Sequence, residues 1–138
     1  MGDTRQAMAE GNTEVVRRSY EAFRRRDLDA FLDCIDPEVE FSSLVLEVEG
    51  VYRGHEGARS WWNGVLGVFP DWMPEVADAR EIGAQVLVRT RAEGSGTGSG
   101  VALQRDFWQV AEVRDGRITS WAFFRTQEEA LEAAGLPG

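Results

Sequence analysis

Two short runs near the end of the chain, FWQVAEV (107–113) and SWAFF (120–124), are apolar at almost every position. A strand on the surface of a sheet alternates apolar with polar residues; one with no polar face must be covered on both sides. The turn sequence Arg114-Asp115-Gly116 joins the two runs, so they read as neighbouring strands. One side of the pair can lie on helices of its own domain. The other needs a second cover, and another copy of the same sheet is the simplest source, so a homodimer through this sheet face is expected.

The earlier chain supplies the helices. NTEVVRRSYEAFRRRD (12–27) aligns Val15, Val16, Ser19, Tyr20 and Phe23 on one face, with Asn12 or Thr13 as the cap. DLDAFLDCIDP (27–37) repeats the pattern with Leu28, Phe31, Leu32 and Ile35, capped by Asp27 and halted by Pro37. VEFSSLVLEVEGVYRG (39–54) switches to strand character, with a turn expected at Gly50, and HEGARSWWNGVLGVF (55–69) returns to helical spacing. Strands are then expected at 73–82, 84–92, 101–113 and 117–125, before a short helix capped by Thr126 with Glu129 and stopped near Gly135 and Pro137. Helices first and consecutive strands later imply an α+β fold, with helices on one face of an antiparallel sheet. The chain of 138 residues divides into a flexible leader (1–11) and one domain (12–136).

EGSGTGSGV (93–101) fits neither the dinucleotide fingerprint nor the P-loop spacing. Its flanks are strand-like, so it reads as a hairpin or bent strand pair, with a linker as the other reading. If strand phase continues, Gly98 and Gly100 present bare backbone that permits curvature or leaves room for a ligand or a neighbouring element. If the turn falls at 94–98, the segment is a mobile tip.

A net charge of −9 repels phosphate backbones and anionic bilayers, so neither nucleic acid nor membrane is expected as a partner. A single cysteine, Cys34, and a single histidine, His55, are too few for a disulfide framework or a typical zinc site. The beginning of the chain has no apolar targeting run, and a cytoplasmic location is expected.

Three segments, VVRRSYEAFRRRDLDAFLDCIDPEVEF, YRGHEGARSWW and RDGRITSWAFFRTQEEALEAAGL, resemble the SnoaL-like branch of the NTF2-like superfamily, and the likeness spans about residues 12–136. That resemblance implies a curved antiparallel sheet wrapped around helices into a cone with an apolar pocket inside. In the family's polyketide cyclases, ketosteroid isomerases and limonene epoxide hydrolases, the pocket holds a small hydrophobic substrate and a carboxylate acts as acid or base. Other relatives only bind ligands or partners. Counted from Asp27, the isomerase's oxyanion tyrosine falls on Ser19, with Tyr20 one place away; its two aspartates fall on Ser43 and Trp108. These departures argue against that isomerase chemistry.

The resemblance turns Trp108 toward the pocket, and strand alternation then brings Asp106 to the same side. Asp106 is the acid–base candidate, because desolvation beside Phe107 and Trp108 would raise its carboxyl pKa; an ion pair with Arg105 or Arg125 is the alternative. The same count sends Trp121, Phe123 and Arg125 inward. Arg125 could hold a ligand oxygen through its guanidinium fork, or be an ordinary surface arginine. Ser43 could donate to a ligand or satisfy local backbone. Tyr20, Phe41 and Trp62 complete the expected lining, with plain core packing the competing explanation for all three. Of Trp61 and Trp62, adjacent on one helix, only one is expected to point inward.

His55 lies in a first helical turn, whose positive dipole end disfavours imidazolium, and is not expected to act. Cys34 reads as a small buried hydrophobe. The expected function is a pocket for a small hydrophobic cyclic or polyketide-like molecule. Two classes stay open: a cofactor-free acid–base isomerase, cyclase or hydrolase using Asp106 with Arg125 or Ser43, and a non-catalytic ligand-binding or dimerisation module.

Overall fold

The computed structural model describes residues 4–41, 52–94 and 103–135. Helix α1 (Thr4–Arg24) buries Val15, Val16, Ser19, Ala22 and Phe23, one stripe at helical spacing. It begins at Thr4, well ahead of the expected cap at Asn12 or Thr13. Its end is a Schellman turn: Asp27 N–H donates to Ala22 O at 2.9 Å and Arg26 N–H to Phe23 O at 3.0 Å, with Arg26 left-handed at φ 59°. Glycine is usual at that position. Here the arginine side chain adds its own anchorage, donating to Phe23 O (2.8 Å), Trp72 O (2.7 Å) and Pro70 O (3.2 Å).

Helix α2 (Leu28–Asp33) is capped by Asp27, whose carboxylate accepts from Ala30 N–H at 3.0 Å. It is shorter than expected, because Pro37 lies inside strand β1 (Ile35–Phe41) instead of ending the helix. The reason is in the pairing. β1 runs parallel to β6 (Arg117–Phe124), with Ile35 opposite Ile118 and Glu40 opposite Ser120, so the ladder skips the residues around Pro37. A proline there forfeits no ladder hydrogen bond.

Strand β2 (Tyr52–Arg53) pairs with β1 and leads into α3 (Gly54–Val68), which buries Ala58, Trp61, Trp62 and Val65. Strands β3 (Met73–Ile82), β4 (Gln85–Gly94), β5 (Leu103–Arg114) and β6 follow. The six-stranded sheet has the order β2-β1-β6-β5-β4-β3, curved and unclosed. It is antiparallel, as expected of this α+β fold, except that β1 and β6 pair in parallel. The β5–β6 turn has φ 53° at Asp115 and 75° at Gly116, the doubly left-handed geometry that matches strand twist in a two-residue hairpin. Gly98, Gly100 and the expected turn at Gly50 lie outside the described residues.

Helices α1, α2 and α3 cover one face of the sheet, and their apolar stripes form the main core with Val86, Val88, Ala111 and Ile118. The last helix, α4 (Gln127–Ala133), is capped by Thr126 as expected, with Glu129 N–H 3.1 Å from the Thr126 hydroxyl. It packs on the opposite face, where Ala130 and Leu131 join a second cluster with Leu87, Trp108, Val110 and Phe124. The second face of β5 and β6 is thus covered in part by the chain's own helix. That cover was expected from a second copy.

Candidate functional site

Between the helices and the inner face of the sheet lies a hollow walled mainly by rings. Helix α1 contributes Ser19, Tyr20 and Phe23; α2 adds Phe31, and α3 adds Trp61. The turn before β3 supplies Trp72, and the sheet supplies Phe107 and Gln109 from β5 with Ile118, Trp121 and Phe123 from β6. The enclosed cavity is about 40 Å³, within a hollow of about 490 Å³ counting its open mouth. One water needs roughly 10–15 Å³ on the enclosed measure, so the closed part holds only a few waters.

Two walls are set by single residues. Trp72 is tied to α1 through its carbonyl, which accepts from Arg26. Its ring lies over Gly94, where a Cβ would stand 2.9 Å from Trp72 Cε3. A glycine at the end of β4 therefore makes room for a cavity wall. On β6, the Trp121 indole stacks on Phe41 with centroids 4.0 Å apart and planes 20° apart, and meets Trp61 edge-on at 6.1 Å.

The polar corner is small. Tyr20, Thr90 and Gln109 converge there, with Thr90 0% and Gln109 5% exposed. The Tyr20 hydroxyl donates to Gln109 Oε1 and lies 2.7 Å from Thr90 Oγ1, which then donates to it. Burial pushes the Tyr20 phenol well above its ordinary pKa, and the Thr90 bond offsets this only in part. Tyr20 is therefore a neutral donor through the physiological range. Ser19, also in the wall, spends its hydroxyl on Val16 O at 2.6 Å. Among the described residues, the Trp121 indole N–H is the one buried side-chain polar atom with no hydrogen-bond partner. Such an orphan costs about 1–3 kcal/mol.

Of the expected site residues, the fold brings Tyr20, Trp121 and Phe123 to the cavity. Asp106 and Trp108 are on the other face, which corrects the phase expected for β5. Asp106 is exposed and pairs with Arg91, directly opposite on β4, at 3.3 Å, whereas the alternative to its acid–base role was a pair with Arg105 or Arg125. Trp108 lies under α4 in the outer cluster. The cause is one extra residue in β6. Arg114 faces Arg117 and Val113 faces Ile118, but Glu112 then faces Ser120, leaving Thr119 as a bulge. A one-residue slip exchanges the faces of everything beyond it. Trp121 thus faces Ala111, and Phe123 faces Gln109, so 107, 109 and 111 point inward.

Arg125 follows the end of β6, exposed and outside the cavity wall. Phe41 is buried behind Trp121, and Trp62 packs between Phe23 (4.7 Å) and Phe31 (5.1 Å) as core. Both α3 tryptophans are buried, contrary to the expected division, and Trp61 is the one that reaches the cavity. Ser43 lies outside the described residues. His55 Nε2 is 2.8 Å from Ile35 O; a carbonyl only accepts, so this nitrogen carries the proton and ties α3 to β1. Cys34 is buried, and desolvation raises its thiol pKa.

Trp72, Phe107, Thr90 and Gln109 went unrecognised in the sequence. A signal existed for two of them: Thr90 continues the Val86, Val88 phase, and Gln109 is one of two polar residues in the apolar run 107–113. Among the described residues there is no cluster of acidic, histidine or cysteine side chains that could hold a metal, and no helix long and apolar enough to cross a membrane.

Residues 16–121 match the model of the SnoaL-like domain. The chain belongs to the SnoaL-like family. Its fold recurs in TerC, solved in a co-crystal with polyporic acid (25% identity, 88% of this chain and 96% of that one, TM-score 0.75). It recurs in a loop-truncation variant of IdmH (28% identity, 82% and 91%, TM-score 0.70). A Jannaschia sp. CCS1 protein provisionally described as a SnoaL-like polyketide cyclase shares it at 18% identity, over 94% and 95% of the two chains, with TM-score 0.73. No curated protein matches the sequence. In this SnoaL-like chain every residue that lines the cavity except Phe123 falls within the matched region.

Proposed function

We propose that this SnoaL-like chain binds a small hydrophobic, ring-bearing molecule, of cyclic or polyketide-like type, in the aromatic hollow on the inner face of its sheet. The observation that carries the reading is the composition of the wall: rings on nearly every side, converging on one polar corner at Tyr20 and Gln109. Flat rings stack on such walls, and the few polar groups fix orientation. The enclosed part is smaller than a bicyclic ring, so the ligand inserts one edge and rests across the mouth. TerC's co-crystal with polyporic acid supports a small-molecule role for this fold.

The described lining residues include no carboxylate and no histidine. The reading is accordingly one of binding rather than carboxylate acid–base catalysis, and it assigns no part to Asp106, which is exposed and paired with Arg91. Titrating indane into wild-type protein and into Ser19→Leu, which projects a larger side chain into the hollow, tests the reading. Binding to wild type and its loss in a folded Ser19→Leu is expected. Equal affinity for both proteins, or none for wild type, refutes it. Incubation with cyclic ketones, epoxides and polyketide intermediates extends the test: turnover abolished by Asp106→Asn would restore the carboxylate mechanism.

A further inference from the structure

We infer that the indole N–H of Trp121 donates a hydrogen bond to a neutral carbonyl oxygen of the molecule that the cavity takes, an inference that rests on the pocket reading above. Ser19, Tyr20 and Gln109, the other polar side chains of the wall, already have partners in the Val16 carbonyl, in each other and in Thr90 behind the wall. Trp121 does not, although it is only 5% exposed. Its ring is held between Phe41, Trp61 and Phe31, so it has little freedom to turn toward a partner within the protein. A phenylalanine would fill an aromatic wall without burying an unmatched donor. The tryptophan is explained if the partner arrives with the ligand.

The chemistry of the site selects the partner. An indole nitrogen only donates, so the ligand atom must be an acceptor. The described lining holds no arginine, lysine or histidine, and a buried carboxylate or phenolate without a counter-charge is costly. A ring ketone or quinone-type carbonyl meets both conditions. Trp121 thus orients a ligand by one oxygen while the surrounding rings hold its apolar body.

The test compares 1-indanone with indane, which differ by the carbonyl. Affinities of both are measured for wild type and for Trp121→Phe, and the Trp121 Nε1–H resonance is followed in ¹⁵N-labelled wild type. Losing one neutral hydrogen bond should lower the indanone-to-indane affinity ratio roughly 2- to 12-fold in Trp121→Phe. The indole resonance should move further downfield with indanone than with indane. An unchanged ratio, with the resonance responding alike to both compounds, overturns the inference while leaving the pocket intact. Binding of neither compound to wild type overturns both. If Trp121→Phe does not fold, the wild-type resonance decides.

Discussion

Replacing Tyr20 by phenylalanine removes one hydroxyl and two hydrogen bonds, and leaves the ring in the cavity wall. The bonds lost are the donation to Gln109 Oε1 and the acceptance from Thr90 Oγ1. Both partners are nearly inaccessible to bulk solvent, so only a water of the small cavity could stand in for the phenol, and Thr90, outside the cavity wall, loses its partner. At about 1 kcal/mol per bond, the low end of the cost for stranded groups, the variant loses about 2 kcal/mol. For a domain of this size that lowers the melting midpoint by roughly 6–12 °C. Urea unfolding followed by tryptophan fluorescence gives the free energy directly. A matched variant, Tyr20→Phe with Thr90→Val and Gln109→Met, recovers much of the loss, because removing all partners of a buried network is far less costly than removing one. A single variant within about 0.5 kcal/mol of wild type, or a triple variant less stable than the single, refutes the buried bridge.

Three other outcomes follow from the same geometry. Gly94→Ala forces a Cβ to 2.9 Å from Trp72 unless that ring moves, and should cost about 1–3 kcal/mol and weaken ligand binding in parallel, read by denaturant unfolding and calorimetry. Asp106→Asn breaks only a half-exposed pair with Arg91, so it should change stability by less than about 1 kcal/mol and leave indane affinity unaltered. Stability should fall as pH rises from about 9 to above 10. The folded state holds the Cys34 and Tyr20 protons past the pH at which the unfolded chain releases them, so the unfolded state binds fewer protons there. The sequence contains no lysine, which keeps that pH window free of other basic side chains, and Tyr20→Phe should flatten the upper part of the decline.

Local signals read well in this sequence. The α1 stripe, the Asp27 and Thr126 caps and the Asp115-Gly116 hairpin depend on neighbours within a few residues, and each stands where the spacing puts it. Pro37 misled because a strand bulge excuses a proline as well as a helix end does, and only the distant β6 reveals the gap in pairing. The β1–β6 parallel pair has the same long-range origin. The face of Asp106 was not legible because β5 is apolar on both sides, so its pattern carries no phase. Counting across the hairpin then depends on Thr119, whose extra place in β6 no periodicity announces. α4 was recognised as a helix, but its role as the outer cover was not, since a short amphipathic segment does not say which face it will meet.

The chain contains five tryptophans, at 61, 62, 72, 108 and 121, and their indole N–H signals report on both faces of the sheet at once. Titrating indane into ¹⁵N-labelled protein and assigning those five resonances by substitution measures where the ligand sits. Trp61, Trp72 and Trp121 should shift together while Trp108, under α4, stays in place. A shift of Trp108 with the other three unmoved would put the binding site on the outer face and contradict the account.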